Sequence, residues 1–351
     1  MTRVPTAGVF LVLATVFAGS ATVAGEGKRL PSLPDKEGFA GSFAGVSNGV
    51  LLVAGGANFP DKKPWDGGKK RWHDSVFVLE NPDGEWKLAG KLPRPLGYGV
   101  SVTHGGGIVC VGGSDIVQHY ADAFRLEWKN GKLVTIKLPS LPKSVANASG
   151  ALVGDTLYVA GGQGNPDADV LKSVYRIDLS AAEPKWTEVE AWPGGGRMLS
   201  VAVGYDGAFW LVSGVDFVPG KDEKLERRYL KDAYCYRPEK GWKRIADVPT
   251  AVVAAPSPAP TDALGFSILG GDDGFQVGVA PERHRGFSKK VLRYDSKAGK
   301  WIEAGELSAA RVTVACVLWD KSWVVPSGEV RPGVRSPEVW SYAPDLLRQH
   351  E

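Results

Sequence analysis

An apolar run ending in Gly-Gly or Ser-Gly occurs six times in this 351-residue chain: VLLVAGG to Gly56, GIVCVGG to Gly113, TLYVAGG to Gly162, AFWLVSG to Gly214, GFSILGG to Gly271 and SWVVPSG to Gly328. Successive ends are 57, 49, 52, 57 and 57 residues apart. A unit of this size cannot bury its own apolar face, so neighbouring units have to stack. Each run is followed by a variable stretch and a short strand pattern (DSVFVLE, ADAFRLEW, KSVYRIDL, KDAYCYRP, KVLRYDS, PEVWSYAP). Four units then carry a tryptophan, at Trp86, Trp186, Trp242 and Trp301. New units open after breaks at Pro93, Pro142, Pro193 and Pro249, with Ser308 in the corresponding place of the last. Each unit therefore holds four short strands. The 45 glycines, 24 prolines and 12 tryptophans fit many strands joined by tight turns, and no apolar pattern of helical period and helix length occurs after the N-terminus.

A period near 50 with Gly-Gly, an aromatic and a tryptophan is the kelch pattern, in which each repeat is one blade of a β-propeller. The expected fold is all-β, a six-bladed kelch-type β-propeller occupying residues 25–351 as one domain. The sixth unit ends at SYAP without its tryptophan strand, while RLPSLP at residues 29–34 resembles that missing outer strand. The ring is thus expected to close with an N-terminal strand completing the last blade, which removes an exposed sheet edge. Two separate β domains would need a linker that the sequence lacks.

Residues 1–24 read as a secretory signal peptide: one arginine, an apolar run from Gly8 to Phe17, then small residues up to Ala24. That run is short for a membrane span. The chain is expected to be periplasmic or secreted, with no membrane association after cleavage. The net charge of +3, with both signs interspersed, does not suggest nucleic acid as a partner. Cys110, Cys235 and Cys316 each lie in apolar strand-like runs and read as buried free thiols. No metal-spaced histidine pair, phosphate loop, dinucleotide fingerprint or catalytic triad order is present, so no metal or cofactor is expected.

In such a propeller Gly-Gly ends the second strand of each blade, so the next residue opens a loop beside the channel mouth. Those six residues are Ala57, Ser114, Gln163, Val215, Asp272 and Glu329; only the last two are acidic, and they fall in adjacent blades. The connections between blades are expected to add Arg94, Arg197 and Arg311 to the same end. Three loops are long, at 57–73, 215–231 and 272–289, and long loops on a rigid ring are where sites are built. Glu329 is the candidate general base. Arg335 follows in a turn stiffened by Pro332, and either binds an anionic ligand or simply pairs with Glu329. Arg331 is expected to face solvent. Asp272, in GGDDGF, is a site candidate or turn chemistry. Asn58 heads the first long loop, whose Trp65, Trp72 and His73 either stack on a sugar ring or pin the loop.

The segments GFAGSFAGVSNGVLLVAGGANF (38–59), GYGVSV (97–102), WPGGGR (192–197) and SGEVRPGVR (327–335) together resemble the bacterial N-acetylneuraminate epimerases, exported sialic acid mutarotases built on a six-bladed kelch propeller. Relative to well-known members the blade order here is circularly permuted: the blade containing 38–59 comes first and the Gly-Glu blade last. The resemblance implies interconversion of the α and β anomers of free sialic acid, a small sugar acid, without a cofactor. Matching the family motif onto Gly328, Glu329, Pro332, Gly333 and Arg335 implies Glu329 as proton acceptor and Arg335 as the partner of the substrate carboxylate. Arg197, Asp272, Arg94, Arg311 and Asn58 complete the expected substrate-binding set. The donor to the ring oxygen stays open among Asp272, Tyr98 and water. A non-catalytic kelch propeller that binds carbohydrate or protein is the competing reading.

Overall fold

In a computed structural model the described residues are 27–220 and 224–344; the expected signal peptide lies outside them. Six four-stranded antiparallel sheets follow one another along the chain. Blade 1 comprises Phe43–Ser47, Val50–Ala54, Ser75–Leu79 and Lys87–Lys91, from innermost to outermost strand. Blades 2 to 5 repeat this order, with innermost strands Val100–His104, Ser149–Val153, Val201–Tyr205 and Thr261–Asp262. Blade 6 has Val317–Trp319, Ser322–Pro326 and Val339–Tyr342, and its outermost strand is Lys28–Leu30 from the other end of the chain. Leu30 pairs with Val339 and Lys28 with Ser341, so the ring closes as the sequence suggests. Among the described residues no helix is long and apolar enough to cross a membrane.

Among the described residues six apolar clusters fill the wedges between adjacent blades, and a seventh gathers Met198, Val215, Val253 and Val312 at the channel mouth. This explains the continuous apolar runs of the inner strands, because both of their faces meet a neighbouring blade. The repeated tryptophans also join blades. The indole N–H of Trp86 donates to the Pro31 carbonyl, Trp186 to Pro139, Trp242 to Glu190 and Trp301 to Ala246, at 2.6–2.8 Å. Each acceptor belongs to the chain just past the preceding blade's outermost strand, so one side chain supplies apolar area and a satisfied polar tip. Cys110, Cys235 and Cys316 are free and buried.

One loop expectation is corrected. Residues 215–231 are largely strand: the second and third strands of blade 4 run long, Ala208–Pro219 against Leu225–Arg237. Their ladder shifts register between Val212 and Gly214, which lets the hairpin continue past the sheet with altered twist. Alternating pairs such as Val215 with Tyr229 and Phe217 with Arg227 sustain it.

At the channel mouth the six blades are tied by a ring of backbone hydrogen bonds. Gly41, Tyr98, Asn147, Leu199, Ala254 and Thr313 hold equivalent positions ahead of the innermost strands, all with φ between 54° and 68°. The N–H of each donates to the carbonyl of the equivalent residue one blade earlier, and Gly41 donates to Thr313, at 2.7–2.9 Å throughout. Five of the six are not glycine, so the left-handed conformation is held at a cost of about 1–2 kcal/mol per residue and offset by the closed ring of bonds.

Candidate active site

The residue before each ring member bridges to the residue after the Gly-Gly end: Ala40 to Ala57, Gly97 to Ser114, Ala146 to Gln163, Met198 to Val215, Val253 to Asp272 and Val312 to Glu329. The six positions picked out by the repeat are therefore equivalent in space. Above them lies a cavity of about 730 Å³. Tyr98, Asn147, Leu199, Ala254 and Thr313 of the ring contribute to its lining, as do Gln163, Asp272 and Glu329 from the bridged positions. Phe59 and Lys70 come from the first loop, and Phe217 and Arg227 from the long hairpin of blade 4.

Glu329 begins a two-stranded ribbon, Glu329–Arg331 with Val334–Arg335, in which Glu329 faces Arg335. Pro332 and Gly333 occupy its turn, and Gly333 has φ 79°, the left-handed value a type II turn requires after proline. The Gly333 N–H donates to Glu329 Oε1 at 2.6 Å. Arg335 Nη1 lies 3.4 Å from the same oxygen. The Arg335 side chain is 5% exposed and stacks over the Phe59 ring at 4.7 Å, yet its Nε and Nη1 have no hydrogen-bond partner. Arg335 belongs to the cavity lining, where a guanidinium fork suits an oxyanion. The ribbon is wedged between loops: Arg331 donates to the Glu282 carbonyl at 2.9 Å and lies 5.7 Å from the Trp65 ring, so it does not simply face solvent.

Asp272 is the second acid in the lining. Tyr229 donates to its Oδ2 at 2.7 Å, and the Gly274 N–H to its Oδ1 at 3.0 Å. Burial and the bond to Asp272 push the Tyr229 phenol up to about 12, so it remains a donor at neutral pH.

Four other expected binding residues do not face the cavity. Arg197 is fully buried, donates to Asp232 at 2.7 Å and to the Ser213 carbonyl at 3.0 Å, and sits 5.3 Å from the rings of both Trp192 and Tyr234. Arg311 is likewise spent on Glu338 and Ser336, at 2.5 and 3.2 Å. Arg94 pairs with Asp122 at 2.9 Å on the surface and covers Tyr120. Asn58 is buried, donating to Asp35 and the Gly38 carbonyl and pairing with His73 at 2.8 Å; burial lowers the His73 pKa. The reason is one of register. Arg197 and Arg311 occupy the position immediately before the bridging residue, where the other blades have Phe39, Leu96, Val145 and Val252, all buried between blades. Arg94 is two residues out of that register. Conversely, Lys70, Arg227, Phe59 and Gln163 reach the cavity without a repeat position to mark them as a set; Gln163 alone was visible as a bridged position.

Comparison with known proteins gives the same architecture and a family. A solved propeller titled "Structure of YjhT" superposes with a TM-score of 0.65, covering 88% of this chain and 95% of its own at 18% identity, a likeness of fold alone. An N-acetylneuraminate epimerase of Haemophilus influenzae is 28% identical over 246 residues, 59% of this chain and 62% of its own length. Its counterpart in Salmonella enteritidis is 46% identical over 99 residues, 25% of each chain. The chain thus spans 62% of the length of the H. influenzae relative, and Glu329 and Arg335 lie beyond the residues that the family model matches. That model, for N-acetylneuraminate epimerase, matches residues 26–136 and 138–274, and the chain belongs to the N-acetylneuraminate epimerase family.

Proposed function

We propose that this protein is a sialic acid mutarotase, exported after removal of residues 1–24, and that Glu329 and Arg335 perform its chemistry. The observation behind the reading is the pairing of the Glu329 carboxylate with the buried guanidinium of Arg335, 3.4 Å apart in the lining of one cavity. A sugar acid of this class bears its carboxylate on the anomeric carbon. Arg335 holds that carboxylate, which sets the anomeric hydroxyl beside Glu329.

Glu329 takes the hydroxyl proton. The oxygen's electron pair forms a carbonyl as the bond from the anomeric carbon to the ring oxygen breaks, and the ring oxygen accepts a proton. Rotation about the neighbouring carbon–carbon bond followed by the reverse steps gives the other anomer with Glu329 restored. The donor to the ring oxygen stays open among Asp272, Tyr98 and water. The Gly333 N–H and Arg335 hold the Glu329 carboxylate in position for that transfer.

The permuted blade order supports the same reading. In a closed ring the two orders place the same blades side by side, so the site can survive permutation.

Proton NMR on α-N-acetylneuraminate freshly released by a sialidase tests the proposal. The wild type is expected to speed appearance of the β anomer, and Glu329→Gln to remove about 10²–10⁴-fold of that acceleration. A Glu329→Gln protein as fast as wild type would overturn the mechanism. A wild type that binds the sugar without accelerating it would favour a non-catalytic carbohydrate-binding propeller.

A further inference from the structure

On another part of the cavity lining, hydrogen-bond donors stand without acceptors. Lys70 Nζ lies 4.1 Å from the Tyr98 ring centroid and 4.6 Å from that of Trp72. No hydrogen bond or ion pair involves Lys70 among the described residues. The Tyr98 hydroxyl and the Trp72 indole nitrogen are buried and unpartnered. Lys70 and Tyr98 both belong to the cavity lining that contains Glu329 and Arg335.

The group is rigid. Tyr98 is held with φ 61° by its place in the backbone ring, its ring meets Trp72 edge-on at 6.1 Å, and Trp72 is anchored by its pairing with Ala57. Buried donors normally find partners, and leaving them unmade costs free energy. Fixed donors around a cavity without acceptors are therefore matched by a ligand that supplies the acceptor.

The chemistry narrows that ligand group. A ligand hydroxyl would bring a proton of its own to a wall made of donors. A carbonyl oxygen only accepts and can take two hydrogen bonds. A second carboxylate is not needed, since Arg335 already provides the oxyanion site. We infer that Lys70 and Tyr98 form a specificity subsite for the carbonyl oxygen of an acylamino substituent on the sugar acid. Tyr98 is then engaged in recognition, leaving Asp272 and water for the ring oxygen. The identity of the sugar rests on the mutarotase reading; the donor wall does not.

The test compares N-acetylneuraminate with the analogue that has a hydroxyl in place of the acetamido group. Binding is followed by titration calorimetry and anomer exchange by NMR, for wild type, Lys70→Met and Tyr98→Phe, with thermal melts confirming the fold. Each variant is expected to reduce the preference for the acetamido sugar about tenfold, the loss of one hydrogen bond of roughly 1.4 kcal/mol. An unchanged preference in both variants would overturn the subsite, as would failure of the wild type to bind either sugar. A changed binding preference with no anomer exchange in wild type would uphold the subsite and overturn the mutarotase reading.

Discussion

Arg197 and Arg335 are both buried arginines beside an acid, and only Arg335 lines the cavity. Arg197 has its Nη atoms hydrogen-bonded to protein, among them to Asp232, whereas Arg335 makes only a 3.4 Å ion pair with Glu329 and lines the cavity. The sequence made both look like binding residues, because each precedes or follows a glycine-rich turn. Laying the repeats in register distinguishes Arg197, since its equivalents Phe39, Leu96, Val145 and Val252 are core residues. Burial alone would raise the Asp232 carboxyl, but the hydrogen bond and charge of Arg197 outweigh it and hold it below the ordinary value. A depressed carboxyl stabilises the fold above its unfolded pKa and loses that contribution as pH falls through the folded one. Arg197→Met is thus expected to lower stability by on the order of 3 kcal/mol at neutral pH by stranding Asp232, with the deficit shrinking in acid as Asp232 protonates. Denaturant melts at pH 7 and pH 3.5 check this; a deficit independent of pH would mean that the lost packing of the side chain, and not the stranded charge, is responsible. Arg335→Met removes a 3.4 Å ion pair from Glu329, whose Oε1 keeps the Gly333 N–H, and is expected to leave the melt within about 1 kcal/mol of wild type while abolishing mutarotation.

At the scale of the element, the ring of left-handed residues shows where reading stops. The Gly-Gly ends were visible because glycine marks backbone that other residues avoid. The ring positions were not, because they hold Gly41, Tyr98, Asn147, Leu199, Ala254 and Thr313, and nothing in those residue types announces a positive φ except at Gly41 and Asn147. The same limit hid the extended hairpin of blade 4, whose alternation begins only beyond the register shift after Val212. Gly41 is also the ring member with no room to change. An added Cβ would lie 2.7 Å from Tyr98 Cδ1 and 2.8 Å from its backbone nitrogen, although five neighbours tolerate side chains in the same conformation. Gly41→Ala is therefore expected to cost about 2–4 kcal/mol from overpacking and left-handed strain together. The clash pushes on the phenol proposed to recognise the acylamino group, so the acetamido preference is expected to fall with stability. Calorimetry and the two-sugar comparison on one preparation check both; a variant as stable as wild type would show that the ring is softer than its hydrogen bonds imply.

At the scale of the whole molecule, six similar blades leave one choice open: where the ring is stitched. Here the stitch runs through blade 6, the blade that carries Glu329 and Arg335, and its outermost strand is Lys28–Leu30. The repeat made this legible, since one outer strand was missing at the end and one was spare at the start. Leu30 and Leu33 are buried in the wedge between blades 6 and 1, the Leu33 N–H donates to the Pro337 carbonyl at 2.9 Å, and Trp86 reaches Pro31. Arg29 and Arg311 both contact Glu338, which leads into the third strand of the same blade just after the ribbon of Glu329 and Arg335. A chain beginning at Pro34 would expose two leucine pockets worth about 1.5–3 kcal/mol each, bare the edge of Val339–Tyr342 and release one partner of Glu338. It is expected to melt well below wild type, to self-associate through the open edge, and to lose mutarotation at temperatures where blades 1 to 5 are still folded, because the loosened blade holds the proposed base. Activity and near-ultraviolet dichroism followed together during heating, with size-exclusion chromatography before and after, read all three. A synthetic peptide spanning residues 27–35, added in trans, should restore part of the activity by refilling the outer strand; a truncated protein that needs no such strand and retains wild-type activity and melting would show that blade 6 is complete without it.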